Sequence, residues 1–138
     1  MRKVLIDTNI FIDIICQRAN LPYTPSRFLP ELIEQDYEIH VAATSLKDVY
    51  YCACKVIGEQ ASREYICDLI DLVQVNSVDK LVCHKAAHSN EPDFEDGIVR
   101  ICAEDSRVEY LVTRDESAFA QSTIKAIRPW ELLPQVAK

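Results

Sequence analysis

The segment KVLIDTNIFID, residues 3–13, gives the strongest indication of the fold class. It opens with a short apolar run that stops abruptly at Asp7. The apolar residues after Asp7 recur three and four positions apart, which is the spacing of one face of a helix. These residues are Ile10, Phe11, Ile14 and Ile15. The segment therefore predicts a buried strand, a polar turn at Asp7 and a helix.

Strand and helix patterns continue to alternate along the rest of the chain. Such alternation predicts an α/β fold with a largely parallel sheet, in which ligands bind at the carboxyl ends of the strands. Gly58 separates two of the longer helices, and a short tail helix containing Trp130 and Leu133 is expected last. The predicted helices span residues 28–35, 44–57, 59–71, 78–88 and 93–106, and the predicted strands span 38–41, 72–75, 109–112 and 124–127.

Composition limits the classes of protein that fit this chain. The length fits one domain, residues 1–138. The net charge of −7 argues against a broad basic surface for nucleic acid. The only glycines are Gly58 and Gly97, too few for a glycine-rich phosphate loop. An acidic chain that acts on nucleic acid therefore needs a bound cation, a few placed basic residues or a basic partner.

The chain is expected to be cytoplasmic and reduced. Asp7 interrupts the apolar run that a signal peptide needs, and no stretch is long enough to span a bilayer. The six cysteines lie in apolar, helix-like segments without Cys-x-x-Cys spacing. We therefore expect them to be reduced residues of the core rather than disulfides or metal ligands.

Aspartates at the predicted strand ends and on one helix face form a candidate site. Asp7 follows the first strand and Asp115 follows the strand at 109–112, so both open onto one crevice of a parallel sheet. In the helix at 93–106, Asp93 and Asp96 lie opposite the apolar stripe and can supply a third carboxylate. Asp48 points away from the apolar stripe of its own helix, toward either the crevice or solvent.

Clustered carboxylates repel one another, and a cation among them removes that conflict. Oxygen ligands favour Mg²⁺ or Mn²⁺, which activate water and neutralise phosphate charge. Phosphodiester hydrolysis is the chemistry that such a site suits. Spacing alone leaves an alternative equally open, in which each aspartate serves locally as a helix cap, in a turn or on a solvated face.

Three motifs resemble those of the PIN-domain family, which includes the VapC-like toxins of prokaryotic toxin–antitoxin pairs. They are LIDTNIFID at residues 5–13, PDFEDGIV at 92–99 and YLVTRDESAF at 110–119. Their order and spacing match across essentially the whole chain. The resemblance implies a parallel five-stranded sheet in an α/β/α sandwich. It also implies a metal-dependent endoribonuclease that hydrolyses RNA phosphodiesters with Mg²⁺ or Mn²⁺.

The resemblance further implies roles for individual residues. It makes Asp7, Asp96 and Asp115 the metal-binding catalytic acids, with Thr113 as a polar supporter and Asp93 as an auxiliary ligand. Another catalytic acid of the family is usually Glu on a helix like that at 44–57. In this chain the matching position holds Asp48, whose side chain is one methylene shorter.

Several further residues have two interpretations. Asn9 would cap the first helix or hold the Asp7 loop. Arg100 and Arg114 would contact the substrate backbone or pair with the acids, and the sequence favours neither. Aromatic residues on helices are expected to pack rather than to stack on bases. They are Tyr50, Tyr51 and Trp130.

Two other classes of protein share parts of this pattern. A PIN-like binding module without catalysis has Asp48 in place of Glu as its support. A phosphotransferase of the haloacid dehalogenase type needs a second Asp where this chain has Asn9. The partners expected for a nuclease are RNA, a small antitoxin protein and a second copy in a homodimer. The apolar-rich segment 21–33 is the surface on which a protein partner is expected to bind.

Overall fold

Five strands form one parallel sheet in the computed structural model, which describes residues 1–138. The strands are β1 (Arg2–Ile6), β2 (Tyr37–Ala42), β3 (Gln74–Asn76), β4 (Tyr110–Val112) and β5 (Lys125–Ile127). Their order across the sheet is β3-β2-β1-β4-β5, and every neighbouring pair is parallel. The first strand is therefore central, which places Asp7 at the middle of the sheet edge where ligands bind.

Helices cover both faces of the sheet. They are α1 (Thr8–Ile15), α2 (Pro25–Glu34), α3 (Ala43–Leu72), α4 (Lys80–Ala87), α5 (Phe94–Ser106) and α6 (Pro129–Leu132). Val4 and Ile6 of β1 pack with α1, α2 and α3, whereas Leu5 packs with α4 and α5, because successive strand residues face opposite sides. The fold is the predicted α/β/α sandwich. No helix combines the length and the apolar character needed to cross a membrane.

The predicted break at Gly58 is confirmed, whereas the predicted ends near Leu72 and Leu133 are wrong. Two helical segments meet within α3 at Gly58, whose φ of 82° and ψ of 171° are not helical and suit glycine. Leu72 ends this helix, so the edge strand β3 begins at Gln74 rather than at Leu72. Near the chain end, Leu133 lies just outside α6. Val73 continues the apolar pattern past Leu72, so the local sequence does not mark the end of α3.

Segment 21–33 contributes most of its large apolar side chains to the core. Tyr23, Phe28 and Leu32 are fully buried, and Ile33, at 44%, is the large apolar residue of the segment that is exposed. The loop before α2 is hydrogen-bonded to the C-terminal segment, because the Thr24 backbone N–H donates to the Val136 carbonyl at 2.9 Å. Most of the apolar content of this segment therefore serves the fold, and the expectation that a partner covers the segment stays a prediction.

The cysteines are free thiols, but most of them lie outside the core. Only Cys102 is buried, Cys67 is exposed, and the remaining four are partly exposed. The expectation that all six are core residues is therefore wrong, since their helices turn the cysteine positions partly toward solvent.

Candidate active site

The carboxyl ends of β1 and β4 bring Asp7 next to Thr113 and Asp115. The Asp7 backbone N–H donates to the Val112 carbonyl at 2.9 Å, which continues the pairing of the two strands. The Thr113 hydroxyl donates to an Asp7 carboxylate oxygen at 3.0 Å and accepts from the Asp115 backbone N–H at 3.1 Å. Asp7 and Thr113 are buried. Thr113 therefore links the two aspartates through one hydroxyl held by the sheet.

A cleft of about 290 Å³ lies in front of Asp7. Asp7 reaches it from the end of β1, Asp48 from α3 and Asp96 from α5. We call this cavity the acid cleft. Its other polar lining residues are Thr8, Asn9, Asp93 and Glu95. Carboxylates from three distant parts of the chain thus share one opening, and no positively charged side chain lines it.

The carboxylates act on one another electrostatically. Burial raises the pKa of Asp96 to about 6, and the charges of Asp7, Asp93 and Asp115 add to the rise. Burial also raises the pKa of Asp7, while the hydrogen bond from Thr113 opposes that rise and the charge of Asp115 adds to it. Asp115 itself is exposed and lies beside the acid cleft rather than in its lining. Asp7, Asp96 and Asp115 therefore form one interacting charge cluster.

Local structure at the start of α5 sets the position of Asp96. The Asp93 carboxylate accepts a hydrogen bond from the Glu95 backbone N–H at 2.8 Å, as an N-cap residue does. Gly97 allows α5 to pack closely on α4, since a Cβ there would lie 3.3 Å from the Ala86 Cβ of α4. Asp96 lies between the cap and this close contact. Asp93 therefore serves as a cap in addition to lining the acid cleft.

Asp48 faces the acid cleft from α3. Its side chain is 30% exposed, and one carboxylate oxygen lies 3.1 Å from Lys47 Nζ. Of the two orientations that the sequence left open, the structure shows the one toward the crevice. The catalytic role of Asp48 remains a prediction.

Asn9 lines the acid cleft but does not cap α1. The N-cap position of α1 is Asp7, and Asn9 lies inside the first helical turn. The capping interpretation of Asn9 is therefore wrong. Thr8 instead ties the helix to its neighbour, because its hydroxyl donates to the Ser45 hydroxyl of α3 at 2.7 Å.

Arg100 and Arg114 both pair with carboxylates outside the charge cluster. Arg100 is mostly buried and bridges Glu91 and Glu104. Arg114 donates through Nε and Nη2 to the two carboxylate oxygens of Asp13, at 2.7 and 3.1 Å. Of the two interpretations, the structure therefore shows pairing with acids for each arginine. The acids involved are not among the predicted site residues. Their contact with substrate remains a prediction.

Asp13 is a buried residue near the site that the sequence analysis missed. Its carboxylate is fully buried and accepts hydrogen bonds from Tyr23 Oη at 2.8 Å and Arg18 Nη1 at 3.2 Å, besides those from Arg114. Arg114 directly precedes Asp115, so this network joins α1 to the segment that carries Asp115. The signal in the sequence is an aspartate inside the otherwise apolar run at residues 10–15.

The chemistry of the donor set fits a hard divalent cation. Carboxylate oxygens are the ligands that Mg²⁺ and Mn²⁺ prefer. The pKa of Asp96 is raised first by burial and then by the neighbouring carboxylates, and a bound cation would offset both effects on the charged form. No three Asp, Glu, His or Cys side chains are already arranged as a set of metal ligands. Binding a cation therefore requires the carboxylates to turn toward one another.

The PIN-domain family model matches residues 3–117 of this sequence. Because the match covers most of the chain, the chain belongs to the PIN-domain family. Its motifs and its sheet topology agree with that assignment. No curated protein matches the sequence significantly.

Solved structures with a similar fold include several toxin–antitoxin proteins. A toxin–antitoxin complex from Klebsiella pneumoniae is 21% identical, with a TM-score of 0.66 over 91% of this chain and 97% of that chain. VapBC2 from Rickettsia felis, bound to a DNA fragment from its promoter, is 13% identical, with a TM-score of 0.65 over 91% and 98%. VapC20 from Mycobacterium tuberculosis, a Sarcin-Ricin loop cleaving toxin, is 13% identical, with a TM-score of 0.63 over 86% and 94%. These likenesses show a shared fold.

Proposed function

We propose that this chain is a metal-dependent endoribonuclease that hydrolyses RNA phosphodiesters at the acid cleft. The observation that carries the proposal is the convergence of Asp7, Asp96 and Asp115 from three separate parts of the fold, with mutual repulsion between them. Like charges in a partly buried site cost folding free energy. Perturbed carboxylates in a cleft are typical of a functional site.

Asp7, Asp96 and Asp115 would hold Mg²⁺ or Mn²⁺, with Asp93 as an auxiliary ligand. Such a cation supplies positive charge beside the scissile phosphate and lowers the pKa of a bound water. The Thr113 hydroxyl orients the Asp7 carboxylate, since it donates to one of its oxygens. Asp48 places a further proton acceptor on the α3 wall of the same cleft.

The proposal includes a role as the toxin of a toxin–antitoxin pair. Membership of the PIN-domain family supports it, as does the fold shared with proteins solved as toxin–antitoxin complexes. The net charge of −7 favours a basic antitoxin. A homodimer is the assembly that we expect. Apolar side chains exposed along α3, namely Val56, Ile57, Ile70 and Leu72, favour this helix over segment 21–33 as the surface for a protein partner.

A PIN-like binding module with weak or absent catalysis is the second candidate. Two observations favour it. Asp48 stands where the family usually has Glu and pairs with Lys47, and the carboxylates are not already arranged around a metal position. Metal-dependent cleavage of RNA separates the two functions, because the binding module would bind RNA or protein without cleaving.

Saturating Mn²⁺ is expected to raise the melting temperature by about 8 °C near pH 7.5 and by much less near pH 5. The pKa of Asp96 is raised to about 6 in the folded protein. Protonation of Asp96 therefore stabilises the fold at low pH, and that contribution is lost as the pH rises through about 6. A divalent cation replaces the proton, so its effect grows with pH. Thermal unfolding at both pH values, with NaCl at matched ionic strength, checks this expectation.

Asp96→Asn serves as the control for this titration. Without the Asp96 carboxylate, the difference between the two pH values should largely disappear and the response to Mn²⁺ should weaken. A parent protein whose melting temperature does not respond to Mn²⁺ or Mg²⁺ would contradict the metal site. The same conclusion would follow from an Asp96→Asn variant that responds as strongly as the parent.

Asp48→Glu is expected to keep or raise the rate of metal-dependent cleavage, because the longer side chain reaches further into the acid cleft. Asp48→Ala should lower the rate by about tenfold, the scale of loss for a residue that supports a metal site. Initial rates on one labelled RNA compare the three proteins. If Asp48→Ala cleaves as fast as the parent, Asp48 is a solvated surface residue of α3 and has no role in catalysis.

A further inference from the structure

We propose that Lys47, Tyr51 and Lys55 form a strip on α3 that binds single-stranded RNA beside the acid cleft. This inference rests on the proposed function and names how the substrate is held. Lysines contact the phosphates on either side of a nucleotide, and the Tyr51 ring stacks on its base. We call these three residues the α3 strip.

The placement of the α3 strip follows from helical geometry. Asp48, Tyr51 and Cys52 line the acid cleft, and Lys55 lies four residues beyond Tyr51. Residues four apart on a helix lie one above the other. Lys47, Tyr51 and Lys55 therefore form a row about 12 Å long, at about 1.5 Å per residue. One end of the row adjoins Asp48, so a chain bound along it leads into the acid cleft.

Tyr51 is the most exposed aromatic residue of the chain, followed by Phe94 at 49%. The sequence predicts packing for Tyr51, yet 62% of the residue is accessible to solvent. Lys55 Nζ lies 4.3 Å from the centre of its ring, within the range of a cation–π interaction. An exposed aromatic ring beside a cation is the combination that proteins use to stack the bases of single strands. A base that stacks on Tyr51 in the complex would cover the ring surface that is exposed to water in the free protein.

The lysines of the α3 strip supply positive charge for the RNA phosphates, which the acidic surface of this protein would otherwise repel. The carboxylates of the acid cleft repel phosphate. Every arginine except Arg107 forms an ion pair with a carboxylate. Lys55 forms no salt bridge. Lys47 is itself paired with Asp48 at 3.1 Å, but its side chain is 74% exposed, and Asp48 lines the acid cleft, so the pair lies at the rim. The strip therefore offers positive charge at the rim of the acid cleft, where the phosphate backbone must enter.

The substrate that fits this strip is a single strand rather than a duplex. A ring that stacks on a base needs that base unpaired and turned out, which loops and single-stranded segments allow. Contacts to phosphates and to a base face carry little sequence information. The α3 strip therefore positions the RNA without choosing its sequence.

Binding of a labelled single-stranded RNA of about 12 nucleotides in EDTA, where metal-dependent cleavage is stopped, tests the α3 strip. The variants are the double substitution Lys47→Gln with Lys55→Gln, and the single substitutions Tyr51→Ser and Tyr51→Phe. The charge-matched control replaces Lys80 and Lys125 with Gln, because both lysines are exposed and lie outside the acid cleft. Fluorescence anisotropy gives the Kd at several salt concentrations.

The double lysine variant is expected to weaken binding by about tenfold. It should also flatten the dependence of log Kd on log salt by about 1.4, which is about 0.7 for each phosphate that a lysine no longer neutralises. Tyr51→Ser should weaken binding by about tenfold with the salt slope unchanged, since it removes a stacked base rather than a charge. Tyr51→Phe and the control double variant should bind as the parent does.

Unchanged affinity in the double lysine variant and in Tyr51→Ser would overturn the α3 strip. The same holds if the control weakens binding equally, because overall charge would then explain the loss. The proposed function is judged separately, from cleavage by the parent in Mn²⁺. A parent that cleaves while the strip variants bind normally refutes the strip alone. A parent that neither binds nor cleaves RNA refutes both.

Discussion

Asp7→Asn is expected to reduce RNA cleavage by about 100-fold or more and to raise the melting temperature of the metal-free protein. A bound metal ion contributes several kcal/mol to stabilising phosphoryl charge, and Asn is a poorer ligand for a hard cation than a carboxylate. Asn keeps the shape of the side chain and can still accept from the Thr113 hydroxyl. It removes one charge from the cluster with Asp96 and Asp115, so repulsion falls in the metal-free protein.

A matched control separates this expectation from a capping effect. Asp79 is the N-cap of α4, and its side chain accepts from the Val82 backbone N–H at 3.0 Å. Asp79→Asn should change neither cleavage nor the response to metal, since Asn caps helices about as well as Asp. Asp7 makes no side-chain capping bond in α1. Asp7→Asn would behave like Asp79→Asn only if the metal site proposed here did not exist.

Asp13→Ala is expected to lower the free energy of unfolding by about 3–5 kcal/mol, the usual cost of removing one partner from a buried ion pair. The substitution leaves the Arg114 guanidinium and the buried Tyr23 hydroxyl without the acceptor that both contact now. Urea unfolding near pH 7 measures the loss. Cleavage should also fall, because the paired arginine directly precedes Asp115.

Two further variants keep this prediction testable if Asp13→Ala does not fold. Asp13→Asn retains one acceptor oxygen and should lose less stability than Asp13→Ala. Asp68→Ala changes an exposed aspartate of α3 and should stay within about 0.5 kcal/mol of the parent. A loss below about 1 kcal/mol for Asp13→Ala would mean that the buried network with Arg114 contributes little to the fold.

The fold was predictable because its signals are local. The apolar run before Asp7 and the helical spacing after it are enough to give a strand, a turn and a helix, and the repeated alternation implies a parallel sheet. The ends of parallel strands then place Asp7 and Asp115 at one edge. The boundaries of β3 were predicted wrongly because this edge strand has only three residues and closely follows the apolar end of α3.

The parts of the site that were missed depend on contacts between distant residues. Asp13 and Arg114 are 101 positions apart in the sequence, so spacing could not show that they pair. Tyr51 lies on a helix where packing is the common outcome, and only the folded arrangement shows that it is exposed at the acid cleft. The same holds for segment 21–33, since apolar content does not reveal whether the chain itself covers the side chains, as it does for Tyr23, Phe28 and Leu32.

The most direct test of the acid cleft as a ribonuclease centre is cleavage of one labelled single-stranded RNA by the parent protein and by Asp7→Asn, purified in parallel. Each protein is incubated with Mn²⁺ and, separately, with EDTA. We expect fragments from the parent in Mn²⁺ alone, with no more than a trace from Asp7→Asn or from the parent in EDTA. Equal cleavage by both proteins, cleavage that survives EDTA, or an intact RNA in every sample would contradict the proposed function.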